Sequence, residues 1–164
     1  PLLKLGMSYC KSLGVLFRFC QVMQNRNNCM SWRWRYFTPE EVLSPEGLEQ
    51  YSRGILLISP ALLDGLEALR SKLKKPVRVN HQGLKYRGYR SPHENYSIVG
   101  GEKYSYHMQG LAADISCYLL TMDDLVAVIR GMGVFRGIGI YPKQNFVHVD
   151  MRHSLTGQEV IWTK

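Results

Sequence analysis

No stretch of about 18 uninterrupted apolar residues occurs in this sequence, so nothing in it has the character of a membrane-spanning helix. None of its 4 cysteines stands in a Cys-x-x-Cys pair, which argues against a structural zinc knuckle or a thioredoxin-like motif. Cys10, Cys20 and Cys29 lie near the start, where a Cys10–Cys20 or a Cys20–Cys29 disulfide is open, and Cys117 stands alone as a small core residue. Acids are scarce: 13 Asp and Glu face 21 Lys and Arg, a formal net charge of +8. The excess favours an anionic partner, and nucleic acid, anionic lipid and acidic cell-wall polymer all qualify.

What is present suffices for one folded unit, since 164 residues with 45% hydrophobic content can bury a sizeable core. We divide the chain into an extension over 1–36 and a domain over 37–164. Leu13 to Met23 is apolar, but Arg18 interrupts it and no small-residue cleavage pattern follows, so no export signal is identified. Trp32-Arg33-Trp34-Arg35-Tyr36-Phe37 alternates aromatic and basic residues and predicts an edge strand, with stacking on bases or sugars as the functional alternative. Thr38-Pro39-Glu40-Glu41 predicts a helix start capped by Thr38, and Ser44-Pro45-Glu46-Gly47 a second short one. Ser59-Pro60 opens the clearest helix, with Leu62, Leu63, Leu66, Leu69 and Leu73 on one face. Pro76 ends it, and Val77 and Val79 begin a strand.

The basic, glycine-punctuated stretch His81 to Gly101 is too long for an ordinary connection and is a candidate functional loop. Thr121 and Asp124 form a capping-box variant ahead of a helix that Gly131 and Gly133 end. Strands are predicted over Val134 to Tyr141, Phe146 to Met151 and Glu159 to Thr163. Helices first and mostly strands afterwards predict an α+β fold, an antiparallel sheet with helices packed on one side.

Chemistry concentrates in Ser105-Tyr106-His107-Met108-Gln109-Gly110-Leu111-Ala112-Ala113-Asp114. His107 and Asp114 are zinc-ligand types, yet one straight helix would separate them by roughly 10 Å and one strand by roughly 23 Å, against metal bonds of about 2 Å. The chain must bend between them. Gly110 permits the bend and delivers Asp114 onto a strand predicted over Ile115 to Leu120. In Phe146-Val147-His148-Val149-Asp150-Met151, alternation sends the valines to a core and His148 and Asp150 together into a cleft. Two histidines, a carboxylate and an open position make a catalytic zinc set, Zn²⁺ being the expected cofactor.

Ser105-x-His107-x-x-Gly110-x-Ala112-x-Asp114, preceded by Gly88-Tyr89-Arg90-Ser91 and followed by Phe146-Val147-His148-Val149-Asp150, resembles the zinc D-Ala-D-Ala carboxypeptidase family. That family shares its fold with lysostaphin-type endopeptidases and hedgehog signalling domains. The Gly-Ile-Gly-Ile-Tyr-Pro run at 137–142 is most similar to the murein-peptidase branch, which includes phage-encoded members. The resemblance implies His107, Asp114 and His148 as zinc ligands, Arg90 stabilising the transition state, Ser105 contacting substrate, and Asn95 lining or bracing the site.

Relatives carry an acid three positions before the last histidine, where this chain has Asn145, or a histidine two positions before it, where this chain has Phe146. Asp150 is therefore assigned as general base, with an orienting carboxylate behind a ligand histidine as its other role. His81 and His153 are further candidates. The implied activity is hydrolysis of amide bonds involving D-amino acids in peptidoglycan stem or cross-link peptides, at a periplasmic or cell-wall site. A monomer without specific nucleic-acid binding is expected. The alternative is a non-catalytic zinc-containing wall-binding domain.

Overall fold

Proline opens α1 (Pro39–Val42), α2 (Pro45–Ser52) and α3 (Pro60–Leu73), at a position where its missing N–H interrupts no intrahelical bond. The computed structural model describes residues 31–79, 86–153 and 156–164. The expectations for Cys10, Cys20 and Cys29, for Leu13 to Met23 and for His81 lie outside the described residues. Ser44 caps α2 by accepting from the Gly47 amide at 3.3 Å. Thr38 makes no such bond at α1. Glu41 meets the Thr38 backbone and also accepts from the Val79 amide at 3.0 Å, tying α1 to β1 (Arg78–Val79).

The predicted strand over Trp32 to Phe37 is absent, because α3 takes the backbone groups a ladder would need. The Tyr36 amide donates to Glu67 at 2.6 Å and the Tyr36 carbonyl accepts from Arg70 at 2.6 Å. The Trp34 indole donates to Asp64 at 2.7 Å, and Arg33 pairs with the same carboxylate at 2.9 Å. Aromatic and basic side chains thus clamp the segment onto a helix.

Beyond β1, a π-helical turn (Glu94–Val99) sits inside the stretch predicted as loop. β2 (Ala112–Ser116) then starts earlier than predicted and contains Asp114, while the Leu120 amide turns back to the Cys117 carbonyl. The remaining elements are α4 (Met122–Met132), β3 (Gly137–Tyr141), β4 (Phe146–Asp150) and β5 (Val160–Thr163). Thr121 caps α4 through the Asp124 amide, as its sequence predicts, and Gly133 ends it.

Among the described residues the sheet runs β1-β2-β4-β3-β5. Its first four strands are antiparallel, whereas β5 lies parallel to β3, because β4 ends and β5 begins beside the same residue, Gly137. Ala113, Ile115, Ile138, Val147 and Val149 share one core with Leu62, Leu63, Leu66 and Leu69 of α3 and Leu125, Val126 and Ile129 of α4. Both helices therefore cover one face. Alternation sends Asp114, His148 and Asp150 to the other.

Candidate metal centre

The site is built by register. Asp114 pairs with His148 across β2 and β4, and directly opposed residues on one sheet face have side chains in contact. The tight turns from Ser105 to Gly110 bring His107 over this pair, with the Gly110 amide donating to the His107 carbonyl at 3.1 Å. His107 Nε2, Asp114 Oδ1 and His148 Nδ1 then converge: Asp114 Oδ1 lies 2.9 Å from His148 Nδ1 and 3.3 Å from His107 Nε2, and the two ring nitrogens are 3.2 Å apart. A tetrahedral ion with bonds near 2.0 Å separates its ligands by about 3.3 Å. The donor set fits zinc.

Each donor is also held from behind. His107 Nδ1 sits 2.8 Å from the Gly88 carbonyl, which fixes that nitrogen as the N–H and leaves Nε2 facing the centre. His148 Nε2 lies 3.1 Å from Asp150 Oδ2, so Nδ1 is the inward nitrogen. Arg87 Nη1 donates to Asp114 Oδ2 at 3.0 Å, leaving Oδ1 for the centre. The Arg87 guanidinium lies over the Phe146 ring, 4.8 Å from its centroid.

The electrostatics follow. Burial opposes the charge on Asp114, but the two imidazoles outweigh it and hold the carboxyl well below its usual range. Burial also lowers the His107 pKa. For His148 burial acts the same way, yet hydrogen bonds to Asp114 and Asp150 prevail and raise its pKa to about 9. Burial would raise the Asp150 pKa, but Arg152 and His148 push it far below the carboxylate norm.

The three donors open into a cavity of ≈ 590 Å³, within the usual range for ligand sites. Arg87, Arg90, Arg152 and Lys164 line it, and three of them pair with carboxylates, Arg87 with Asp114, Arg152 with Asp150 and Lys164 with Glu102. The profile of the peptidase M15 family matches residues 35–150. The chain belongs to the peptidase M15 family. It is 33% identical over 99 residues to the Escherichia coli peptidoglycan L,D-endopeptidase MepK, covering 57% of this chain and 50% of that protein. The same figures hold for MepK of Shigella flexneri. The chain thus spans about half the length of the curated relatives it matches. No solved structure matches it.

Within this M15 chain the other expected site residues divide. Arg90 is buried and lines the cavity, with Nε on Asn95 Oδ1 at 2.9 Å, Nη1 on the Tyr86 carbonyl at 2.7 Å and Nη2 3.5 Å from Ser105 Oγ. Ser105 lines the cavity too, and its Oγ accepts from the His107 amide at 3.3 Å. Asn95 is wholly buried and does not line it. Its side chain is spent on Arg90 and, at 3.0 Å, on the Glu102 carbonyl, so it braces Arg90. Asn145 is exposed at the end of the β3–β4 turn with φ 54, outside the cavity, and His153 is exposed.

Asp150 shares the sheet face with His148, as alternation predicts, but it is fully buried on the side of the ring away from the other two donors. Sequence reasoning missed Arg152. Its signal was the same alternation carried two residues further: His148, Asp150, Arg152. Arg87 falls in the candidate functional loop, and nothing local to it reveals that Asp114 lies opposite.

Proposed function

We propose that this chain is a zinc-dependent peptidase that hydrolyses amide bonds involving D-amino acids in peptidoglycan stem or cross-link peptides. The observation that carries this is the convergence of His107 Nε2, Asp114 Oδ1 and His148 Nδ1 at separations of 2.9 to 3.3 Å. The likeness to MepK, a peptidoglycan L,D-endopeptidase, supports reading the bond as an L,D amide and the site of action as extracytoplasmic. His107, Asp114 and His148 hold the metal. When bound, zinc supplies a Lewis acid that polarises a carbonyl and acidifies a water. Arg90, oriented by Asn95 and the Tyr86 carbonyl, stands in the cavity wall to offset negative charge developing on the scissile oxygen. Ser105 anchors Arg90 on one side and the His107 amide on the other, in the wall of the cavity where the peptide would bind.

Asp150 serves as an orienting group and not as the base. Both its oxygens are engaged by Arg152, and it has no exposed surface from which to take a proton from water. This favours a second reading, a zinc domain that binds wall peptides without cutting them, since the cavity's other carboxylate, Glu102, is an exposed rim group paired with Lys164 at 3.5 Å.

One experiment separates the two. Purified cross-linked muropeptides are incubated with the protein, with and without chelator, and the products are weighed by mass spectrometry. Cleavage that stops on chelation is expected. Binding without any product would support the second reading, and cleavage indifferent to chelator would sink the zinc mechanism.

Zinc affinity should also follow pH. The ring of His148 must be neutral to coordinate, while its pKa in the metal-free site is about 9. Below that value zinc displaces a proton, and apparent affinity falls by about tenfold per pH unit. For the metal-free fold the sign is opposite: a raised histidine pKa adds stability that is complete below 6.5 and lost as pH rises through about 9. Competition titrations from roughly pH 6.5 to 8.5 check this, and a flat profile would contradict it.

A further inference from the structure

Two glycines of β3 leave room for the groups standing behind His148. Gly137 pairs with Asp150 in register, and a Cβ there would collide with the Asp150 carboxylate. A Cβ on Gly139 would lie 2.6 Å from the Trp162 indole. The Asp150 carboxylate fills the first space, and Arg152 meets it with a fork. Asp150 Oδ1 accepts from Arg152 Nε at 2.8 Å and from its backbone amide at 3.0 Å, while Oδ2 accepts from Nη2 at 2.6 Å. The fork leaves one direction at Oδ2 for His148 Nε2, at 3.1 Å. The guanidinium is itself held by two rings, 5.1 Å from the Tyr106 centroid and 4.9 Å from that of Trp162.

We propose that Arg152 is a positioning residue of the metal centre: clamped between Tyr106 and Trp162, it fixes Asp150 so that His148 donates from Nε2 and presents Nδ1 to the metal. The proposal rests on the zinc reading above. Planarity is what the role requires, because a guanidinium can stack on two rings and still offer parallel donors to both oxygens. An ammonium at the same place satisfies one oxygen. Without the fork the carboxylate would keep only the Arg152 backbone amide on Oδ1, Oδ2 would no longer be fixed, and the ring it faces would lose its set tautomer.

The test measures zinc affinity by competition with a chromogenic chelator for the full chain and its Arg152→Gln and Arg152→Lys variants. It also reads the tautomer of His148 in the zinc-loaded wild type by ¹⁵N NMR. Arg152→Gln should bind zinc about 10- to 100-fold more weakly, Arg152→Lys should recover only part of that, and the wild type should carry its proton on Nε2. Melting curves of the metal-free variants identify any that fail to fold.

Unchanged zinc affinity in both variants, with only KM raised, would make Arg152 a substrate contact and overturn the proposal. An Nδ1–H tautomer in the wild type overturns it with no variant needed. A wild type that takes up no zinc overturns the parent reading as well, which distinguishes the two failures.

Discussion

Replacing His148 by alanine is expected to remove zinc and cleavage together while leaving the fold in place. The side chain is 12% exposed on the open face of the sheet, and the strand is held by Val147 and Val149 in the core on the other face. Its loss therefore opens no core cavity. What it does remove is one of three donors, and two protein ligands hold zinc poorly. Asp114 then keeps Arg87 as its partner, and the polarising charge is gone. Metal catalysis supplies several kcal/mol at the transition state, so the rate should fall roughly a thousandfold or more. Zinc content by atomic absorption and turnover on cross-linked muropeptides should drop in step. Wild-type turnover in a zinc-free His148→Ala protein would remove the metal from the mechanism.

The three candidate donors, which the structure brings together, were legible in the sequence because two local rules bear on them. Seven positions between His107 and Asp114 cannot be bridged without a bend, and alternation along Phe146 to Met151 can send His148 to only one face. What those rules lack is register. That Asp114 sits directly opposite His148 is a fact of β2 pairing with β4, and no property of either segment alone states it. Asp150 shows the same boundary at finer scale. Its face was readable, but its task depends on which ring nitrogen it meets and on the Arg152 fork.

Where expectation and structure part, a distant group has taken over a local preference. Trp32 to Phe37 alternates like a strand, yet one carboxylate and one arginine of α3 satisfy the Tyr36 backbone, and a residue so satisfied has no ladder to offer. Glu41 divides its carboxylate between the Thr38 backbone at the start of its own helix and the distant Val79 amide. Leucine periodicity, by contrast, depends only on the chain's own helical repeat, and Leu62, Leu63, Leu66 and Leu69 are all fully buried.

Gly110→Ala should be the most damaging glycine substitution near the site, and Gly100→Ala is the comparison that shows why. Both residues have left-handed backbones, with φ +68 and φ +66. An alanine there costs about 1 kcal/mol from conformation alone. Nothing lies within 4 Å of a Cβ at Gly100, so that variant should lose only this much, or about 3 °C in Tm for a chain of this size. At Gly110 the added carbon would collide with the Leu57 carbonyl oxygen and lie 2.8 Å from Ile58 Cα.

Those are backbone atoms, and the Gly110 carbonyl is itself bonded to the Ser59 amide at 2.8 Å, so the contact cannot relax by turning a side chain. A further loss of at least about 2 to 3 kcal/mol follows, a total near 10 °C. Gly110 also lies between two of the candidate donors, so the strain bears on how His107 and Asp114 meet. Zinc affinity should fall in Gly110→Ala and hold in Gly100→Ala. Thermal melts and chelator competition on the pair give the answer, and equal costs at the two positions would show that the bend is set by backbone conformation without the close approach to Leu57.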